Sequence, residues 1–328
     1  MDVLFNTSGT TGIPQRWLRT ESQLLSEVNM VSQILNLNPD IIINFAPTTY
    51  IFGYLFGNYY PKCYGITVHQ AWKSPFNLID LDKFKNILII CIPTTWDILR
   101  RLKKKFKSGC KLTLIHSGAN IPDSAYHLIK NSGLRISSYE ILGSTETGGI
   151  AYRSVLPNQE KNLWKGFPDV LFHRGESLTN SQEDLIISSN RIAKPEYEQT
   201  PPEKWCTSDI VTYINDNEFE LVGRKSDMVK VNGVRVNISK INNILSKRFS
   251  ISNIIAVPIY YDRVLGEGYG IFWRNDESID IAEIRKILHG YPEPTIMSSL
   301  PYIPLTTTGK TDSKKIFEII NYYNCRYR

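Results

Sequence analysis

Between residues 41 and 141, short apolar runs alternate with stretches of helical periodicity, and this alternation restricts the fold more than any other feature of the chain. Ile41-Ile42-Ile43-Asn44-Phe45 reads as a buried strand, as do residues 87–92, 112–116 and 135–141. Helices are expected over about 20–37, where Leu24, Leu25, Val28, Val31, Ile34 and Leu35 recur at helical spacing, and over 94–107 and 122–131. An aromatic loop-plus-helix segment holding Tyr50, Phe52, Tyr54, Phe56, Tyr59 and Tyr60 lies among them. Strands joined by helices run parallel, and such sheets take ligands at the C-terminal ends of their strands. The fold class expected is α/β, with a mainly parallel sheet.

From about residue 165 the pattern changes. Short strands at 169–173, 184–188, 209–214 and 218–222, separated by polar turns, predict a small β subdomain. A hairpin follows at 228–236, with Asn232-Gly233 as its turn. A helix at 238–248, strands at 254–260 and 269–273, and helices at 279–288 and 312–322 complete a smaller α+β unit. The expected division is 1–223 and 224–328, with the boundary near 223–227.

At 328 residues the chain can hold two cores, and 42% hydrophobic with 21% charged residues places it among globular proteins. The net charge of +6 is mild, and part of it sits in Arg100-Arg101-Leu102-Lys103-Lys104-Lys105-Phe106-Lys107. That run reads as a solvated helix C-terminus, where cations suit the dipole; docking of an acidic carrier protein is the second reading. No basic stripe interleaved with aromatics recurs, so nucleic acid is not an expected partner. Five cysteines form no CxxC pair, as suits a reducing compartment, and five scattered histidines give no metal-ligand spacing. The apolar runs are too short to span a bilayer, and a glycine-rich loop within ten residues of Met1 leaves no room for a signal peptide. A cytoplasmic protein without membrane contact is expected.

Four loops carry the chemistry. The first, Thr7-Ser8-Gly9-Thr10-Thr11-Gly12-Ile13-Pro14-Gln15, follows the apolar run Val3-Leu4-Phe5. Its glycines let backbone N–H groups approach an anion and its hydroxyls add donors, although the order is not that of a Walker loop. The second, Leu142-Gly143-Ser144-Thr145-Glu146-Thr147-Gly148-Gly149, puts a carboxylate beside hydroxyls and glycines after a strand, a set suited to Mg2+ against phosphate oxygens. The third pairs Asp209, in Trp205-Cys206-Thr207-Ser208-Asp209, with Arg224, in Gly223-Arg224-Lys225-Ser226-Asp227. An aspartate can accept two hydrogen bonds from a vicinal diol while an arginine donates. The fourth is Pro304-Leu305-Thr306-Thr307-Thr308-Gly309-Lys310-Thr311-Asp312. Taken singly, each could be an ordinary polar turn or surface pair.

In this order the loops resemble the motifs of the adenylate-forming superfamily, which comprises acyl- and aryl-CoA synthetases, luciferases and peptide-synthetase adenylation domains. The resemblance implies that the first loop, with Thr7, Ser8, Gly9, Thr10, Thr11 and Gly12, cradles the β- and γ-phosphates of ATP. Thr145 would contact the α-phosphate and Glu146 the magnesium, with Gly143 and Ser144 beside the nucleotide. Leu142 stands where an aromatic usually lies along the adenine, and Ser117-Gly118-Ala119-Asn120-Ile121-Pro122 resembles the loop on its other side, through Gly118 and Ala119. Asp209 and Arg224 would bind the ribose, with Ser208 where glycine is usual. Lys310 would be the mobile catalytic lysine, bridging substrate carboxylate and α-phosphate. Pro47-Thr48-Thr49-Tyr50-Ile51-Phe52-Gly53 resembles the acid-pocket segment of CoA ligases, with Tyr50 in place of histidine, and assigns Tyr50, Phe52 and Gly53 to the acid. The aromatics from Tyr50 to Tyr60, with Trp96, could line an apolar acid pocket or simply pack the core.

The resemblance implies a truncated adenylation N-terminal domain and a smaller C-terminal domain that rotates about Ser226, bringing Gly233 to the entry of a thiol. Activation of a carboxylic acid to acyl-AMP, with release of pyrophosphate, would precede transfer to CoA or to the phosphopantetheine of an acyl carrier protein. Asn44-Phe45-Ala46-Pro47 lacks the aspartate that amino-acid-activating domains present to an α-amino group, so an acyl or aryl acid is expected. Gly143 to Arg153 is similar to the small ligases of aryl polyene and related secondary-metabolic pathways. Two departures stand out: Gln15 replaces the lysine that commonly ends the first motif, and the long region that usually precedes it is lacking. A partner chain supplying that region, as in a split enzyme, is one alternative reading; a catalytically degenerate nucleotide- or carrier-binding protein is another.

Overall fold

The computed structural model describes residues 2–7, 15–107, 109–118, 121–156, 163–175, 177–179, 181–231, 234–249, 253–260, 267–305 and 311–324. The chain divides into two compact units, Met1–Thr207 with Thr212–Leu221, and Ser208–Val211 with Val222–Arg328. No helix among the described residues is long and apolar enough to cross a membrane.

The expected parallel sheet is present. Thr67–His69, Ile41–Asn44, Asn86–Cys91, Lys111–Ser117 and Arg135–Ser144 lie side by side in that order, every neighbour parallel. Ile41, Ile42 and Ile43 are fully buried, as a two-sided sheet demands of an unbroken β-branched run. Helices Thr95–Leu102 and Asp123–Asn131 cover one face, their Trp96, Leu99, Ala125 and Leu128 packing with Ile89, Cys91, Leu112 and Leu114. Beyond Arg135–Ser144 the sheet turns antiparallel through Gly148–Ser154, Leu163–Gly166 and Glu218–Arg224, and continues with Trp205–Tyr213, Gln182–Ser188 and Leu171–His173. It is thus a mixed α/β sheet.

One expectation needs correction. The strand that precedes the first loop, Val3–Thr7, does not belong to the parallel sheet. It pairs antiparallel with Gln15–Arg19, and Lys194–Pro195 extends the pair into a separate three-stranded sheet. Phe5 pairs opposite Trp17 and both are buried, a cross-strand contact that fixes the register. Immediately after it, Thr20 caps the helix Glu21–Ile34 in a reciprocal capping box with Gln23: Gln23 N–H donates to Thr20 Oγ1 at 3.2 Å, and Thr20 N–H donates to Gln23 Oε1 at 3.0 Å.

In the second unit, Met228–Val231 pairs antiparallel with Val234–Asn237, and the helix Ile238–Ser246 follows. Ile254–Tyr260, Glu267–Arg274 and Ile296–Leu300 form a three-stranded sheet, with helices Ile281–Ile287 and Ser313–Asn324. Val229, Val236, Ile241, Leu245, Ile254 and Ile271 share its core.

Candidate active site

Where Arg135–Ser144 ends, the chain reverses through Thr145, Glu146 and Thr147 into Gly148–Ser154. Hydroxyls close this turn from within: Ser144 N–H donates to Thr147 Oγ1 at 3.2 Å, and the Thr147 hydroxyl donates to Gly148 O at 2.8 Å. Two glycines are obligatory. A Cβ on Gly143 would lie 2.2 Å from the Gly148 carbonyl oxygen, and Gly148 has φ +68°. Thr147 is buried, whereas Thr145 and Glu146 are half-buried and, among the described residues, their side chains engage no hydrogen-bond or ion-pair partner. The structure therefore presents a hydroxyl and a carboxylate on a rigid turn at the ligand-binding end of a parallel sheet.

Charges buried behind the turn hold it in place, and sequence reasoning missed them. Glu27, from the first helix, accepts the Gly149 N–H at 2.8 Å through Oε1 and Arg19 Nη1 at 2.7 Å through Oε2. Arg191 Nη1 lies 3.5 Å from the same Oε2 and makes a two-pronged contact with Asp169, at 2.6 and 2.9 Å. Arg19 Nη2 donates to the Arg191 carbonyl at 3.0 Å. Arg19, Glu27 and Arg191 are each no more than 2% exposed. Their neighbours raise the Arg191 guanidinium above its ordinary value: burial works against the charge, but hydrogen bonding to Asp169 and attraction to Glu27 and Asp169 overcome it. The available signal was positional, since Glu27 shares the apolar stripe of the helix with Leu24, Val28 and Val31.

Gly118 and Leu142 come together at the ends of adjacent parallel strands, each one residue beyond the Ser117–Ile141 register pair. The Ser117 hydroxyl donates to the Ile141 carbonyl at 2.9 Å, and Gly118 has φ +93° with nothing within 4 Å of where a Cβ would stand. In the other unit, Arg224 Nε donates to Asp209 Oδ1 at 2.8 Å; the Asp209 side chain is 5% exposed and that of Arg224 49%. Ser208, at the position where glycine is usual, has φ +63°, so the left-handed backbone is adopted without glycine. Thr7 ends its strand, and Ser226 lies in the short 3-10 turn Lys225–Asp227. Ser8, Gly9, Thr10, Thr11, Gly12, Ala119, Gly233 and Lys310 lie outside the described residues.

The aromatic segment divides into buried and partly exposed residues. Phe56, Tyr59 and Tyr60 are buried, as is Trp96, whose Nε1 donates to His116 Nδ1 at 3.2 Å; these are core residues. Tyr50 is 36% exposed, and Phe52 and Tyr54 are half-buried. Gly53 must be glycine, because a Cβ would meet Pro47 O at 2.3 Å. The helix is α over Ile51–Tyr54, π over Leu55–Tyr59 and α again over Tyr60–Tyr64. Pro61 explains the bulge: it has no N–H for the Gly57 carbonyl four residues back, and Gln70 Nε2 donates there instead, at 2.6 Å. Asn44 is held nearby, donating to Gln70 Oε1 at 2.8 Å and accepting Ala46 N–H at 3.0 Å.

Among the described residues no three of His, Cys, Asp and Glu cluster as a metal cage. A single half-buried carboxylate such as Glu146, together with a nucleotide's phosphate oxygens, is a donor set of the kind magnesium commonly takes.

Comparison with known proteins agrees with this geometry. Residues 3–169 match the AMP-binding enzyme family. A 4-coumarate–CoA ligase of Halorhodospira halophila is 29% identical over 234 residues, which cover 71% of this chain and 54% of that protein. The chain thus spans about half the length of that relative. Among solved structures, the o-succinylbenzoate CoA synthetase of Bacillus subtilis with its acyl-adenylate superimposes with a TM-score of 0.75 at 15% identity, over 95% of this chain and 68% of that one. The anthranilate CoA ligase AuaEII with anthranoyl-AMP gives 0.73 at 17% identity, over 96% and 66%. At these identities the structural likeness is one of fold. With just over half of its length matched, this chain belongs to the AMP-binding enzyme family.

Proposed function

We propose that this chain is an acid–thiol ligase that activates an aryl or acyl carboxylate with ATP, releasing pyrophosphate, and then passes the acyl group to a phosphopantetheine thiol of CoA or of a carrier protein. The observation that carries the reading is the Thr145–Glu146 turn: a hydroxyl and a carboxylate, both without a described partner, on a turn fixed by glycine geometry and buried charge. Thr145 would donate to the α-phosphate, and Glu146 would hold magnesium, which neutralises phosphate charge as pyrophosphate leaves. Gly118 and Leu142 would flank the adenine, while Asp209 and Arg224 would take the ribose hydroxyls. Lys310 would stabilise charge building between carboxylate and α-phosphate. Tyr50, Phe52 and Gly53 would line the acid, Ser226 would be the hinge, and Gly233 would lie on the thiol path.

Two observations support an acid without an α-amine. Asn44 stands at the end of its strand with no carboxylate to offer, and its amide is already bonded to Gln70 and Ala46. The named substrates of three of the similar proteins, coumarate, o-succinylbenzoate and anthranilate, are aryl acids, and further relatives are named as putative long chain fatty acid–CoA ligases. Those names also favour CoA as acceptor.

ATP–pyrophosphate exchange over a panel of aryl, fatty and α-amino acids tests the reading. Exchange is expected with an aryl acid, and Lys310→Ala should lower it by about 100-fold or more while ATP still binds. Strongest exchange with α-amino acids would refute the substrate class. ATP binding without exchange would refute the ligase in favour of a binding protein, and exchange only with a co-expressed partner would identify one half of a split enzyme.

A further inference from the structure

The turn bearing Thr145 and Glu146 is gripped at two backbone points, and both grips lead to the same buried charges. On one side, the Gly149 N–H is held by Glu27 Oε1 at 2.8 Å. On the other, the Glu146 carbonyl accepts the Ala193 N–H at 2.7 Å, so the segment around Ala193 fixes where Glu146 sits. That segment is itself fixed by Gln23, whose Nε2 donates to Asn190 O at 3.0 Å and Ile192 O at 2.9 Å, and by Arg19, which donates to Arg191 O at 3.0 Å. Glu27 closes the circuit, because its Oε2 faces both Arg19 Nη1, at 2.7 Å, and Arg191 Nη1, at 3.5 Å. Gly148 is the joint: a Cβ there would lie 2.3 Å from Glu27 Oε2 and 2.7 Å from Arg19 Nη1, so the turn rests directly on the ion pair.

We propose that Glu27 is a positioning residue for magnesium–nucleotide binding, acting through the backbone of the 145–149 turn. It touches neither metal nor phosphate. Its carboxylate is shared between the turn's N–H and two guanidinium groups, one from the hairpin strand Gln15–Arg19 and one from the segment that holds Glu146. Three separate stretches of chain are thereby locked to one carboxylate. A buried charge held by several partners in a dry site has little freedom to move, and that rigidity passes to the Glu146 carboxylate, whose placement decides how well it meets a demanding octahedral ion. Supporting residues of this kind typically affect metal affinity as strongly as some ligands do.

The proposal rests on the assignment of Glu146 to magnesium. Its test uses the full chain, with ATP binding measured by calorimetry in magnesium and in EDTA, and exchange followed over a magnesium titration. Glu27→Gln keeps the shape and an acceptor for Gly149 N–H but removes the charge that faces both arginines. The expected result is a magnesium requirement raised by about 10-fold, with metal-free ATP affinity unchanged. A variant that only melts earlier, with an unchanged magnesium requirement, overturns the proposal. Should Glu27→Gln fail to fold, Gln23→Ala loosens the second grip from the half-buried helix surface. It should shift the magnesium requirement in the same direction by a smaller factor, and no shift overturns the proposal. A wild type that binds magnesium–ATP but exchanges with no acid would sink the ligase reading alone, since the binding comparison still decides the role of Glu27.

Discussion

Two antiparallel strand pairs of this protein each carry a buried carboxylate matched to an arginine, and they differ in how the arginine is treated. In Arg135–Ser144 with Gly148–Ser154, Glu140 sits opposite Arg153 in register, and Arg153 Nε donates to Glu140 Oε2 at 2.6 Å. Both are sealed: their side chains are 8% and 14% exposed, and the guanidinium carbon lies 4.7 Å from the centre of the Trp164 ring. In the pair formed by Asp209 and Arg224 the carboxylate is equally buried, at 5%, but the arginine is 49% exposed. A guanidinium has more donors than one carboxylate can accept. Where an aromatic ring caps the remainder, the pair belongs to the packing; where they face solvent, they are free to meet a ligand's hydroxyls. Burial of the acid is alike in the two pairs, and exposure of its partner is what distinguishes them.

The largest effect expected from this contrast comes from removing each arginine in turn. Arg153→Met leaves a buried carboxylate without its counter-charge and should cost about 3–5 kcal/mol in unfolding free energy. Arg224→Met should cost about 1 kcal/mol or less, because water reaches the site and screens the loss, while nucleotide affinity falls. Urea unfolding with an ATP titration on both variants checks this. Equal stability losses, with ATP binding unaffected in either, would erase the distinction.

A pH series sharpens the sealed half of the comparison. Burial pushes the Glu140 carboxyl above its ordinary value of 4.5, and the adjacent Arg153 offsets part of that rise. The sign follows from proton binding. Above about pH 4.5 and up to the raised native value, the folded protein holds a proton that the unfolded chain has released, so stability from this group falls as pH rises through that window. Wild type relative to Glu140→Gln should therefore lose stability on going upward from pH 4.5, with a slope no steeper than about 1.4 kcal/mol per pH unit for one proton. A wild-type stability that climbs relative to the variant over the same range would mean that attraction to Arg153 outweighs burial.

How far the sequence disclosed these arrangements depends on the kind of interaction. The parallel sheet was legible because Ile41-Ile42-Ile43 and the runs at 87–92 and 112–116 are fixed by burial on both faces, which leaves an unbroken apolar signature. Gln15–Arg19 was not, since its inward residues are Trp17 and Arg19, and a fully buried arginine breaks the alternation a strand is recognised by. Ile296–Leu300 was missed for a related reason: Ser298 and Ser299 are exposed, and parallel pairing with Glu267–Arg274 leaves no local mark. In the candidate site, the order of the motifs pointed to Thr145, Glu146, Asp209 and Arg224, whose role in binding is part of the proposal. The network of Arg19, Glu27, Asp169 and Arg191 was hidden, because ion pairs spanning the fold have no period and no spacing. The π-bulge shows a third case. Pro61 leaves the Gly57 carbonyl without its helical donor, and only the position of Gln70, distant in sequence, determines that it is satisfied.

The smallest effect tests the open half of the comparison, at the residue beside Asp209. Ser208 holds φ +63° without being glycine, a conformation costing an L-residue about 1–2 kcal/mol. Replacement by glycine removes that strain but enlarges the conformational freedom of the unfolded chain, which returns about 0.4–1 kcal/mol. The difference favours Ser208→Gly, which should stabilise the protein by roughly 0.5–1 kcal/mol. Asn36 supplies the control: it also has positive φ, at 50°, but asparagine tolerates the left-handed region through its short polar side chain. Asn36→Gly should therefore gain nothing measurable. If Ser208→Gly also gains nothing, the backbone next to Asp209 is relaxed rather than strained, and serine is as suitable there as glycine. If it gains stability while ATP affinity drops, the strain is part of how Asp209 is aimed, as strained backbone at binding sites commonly is.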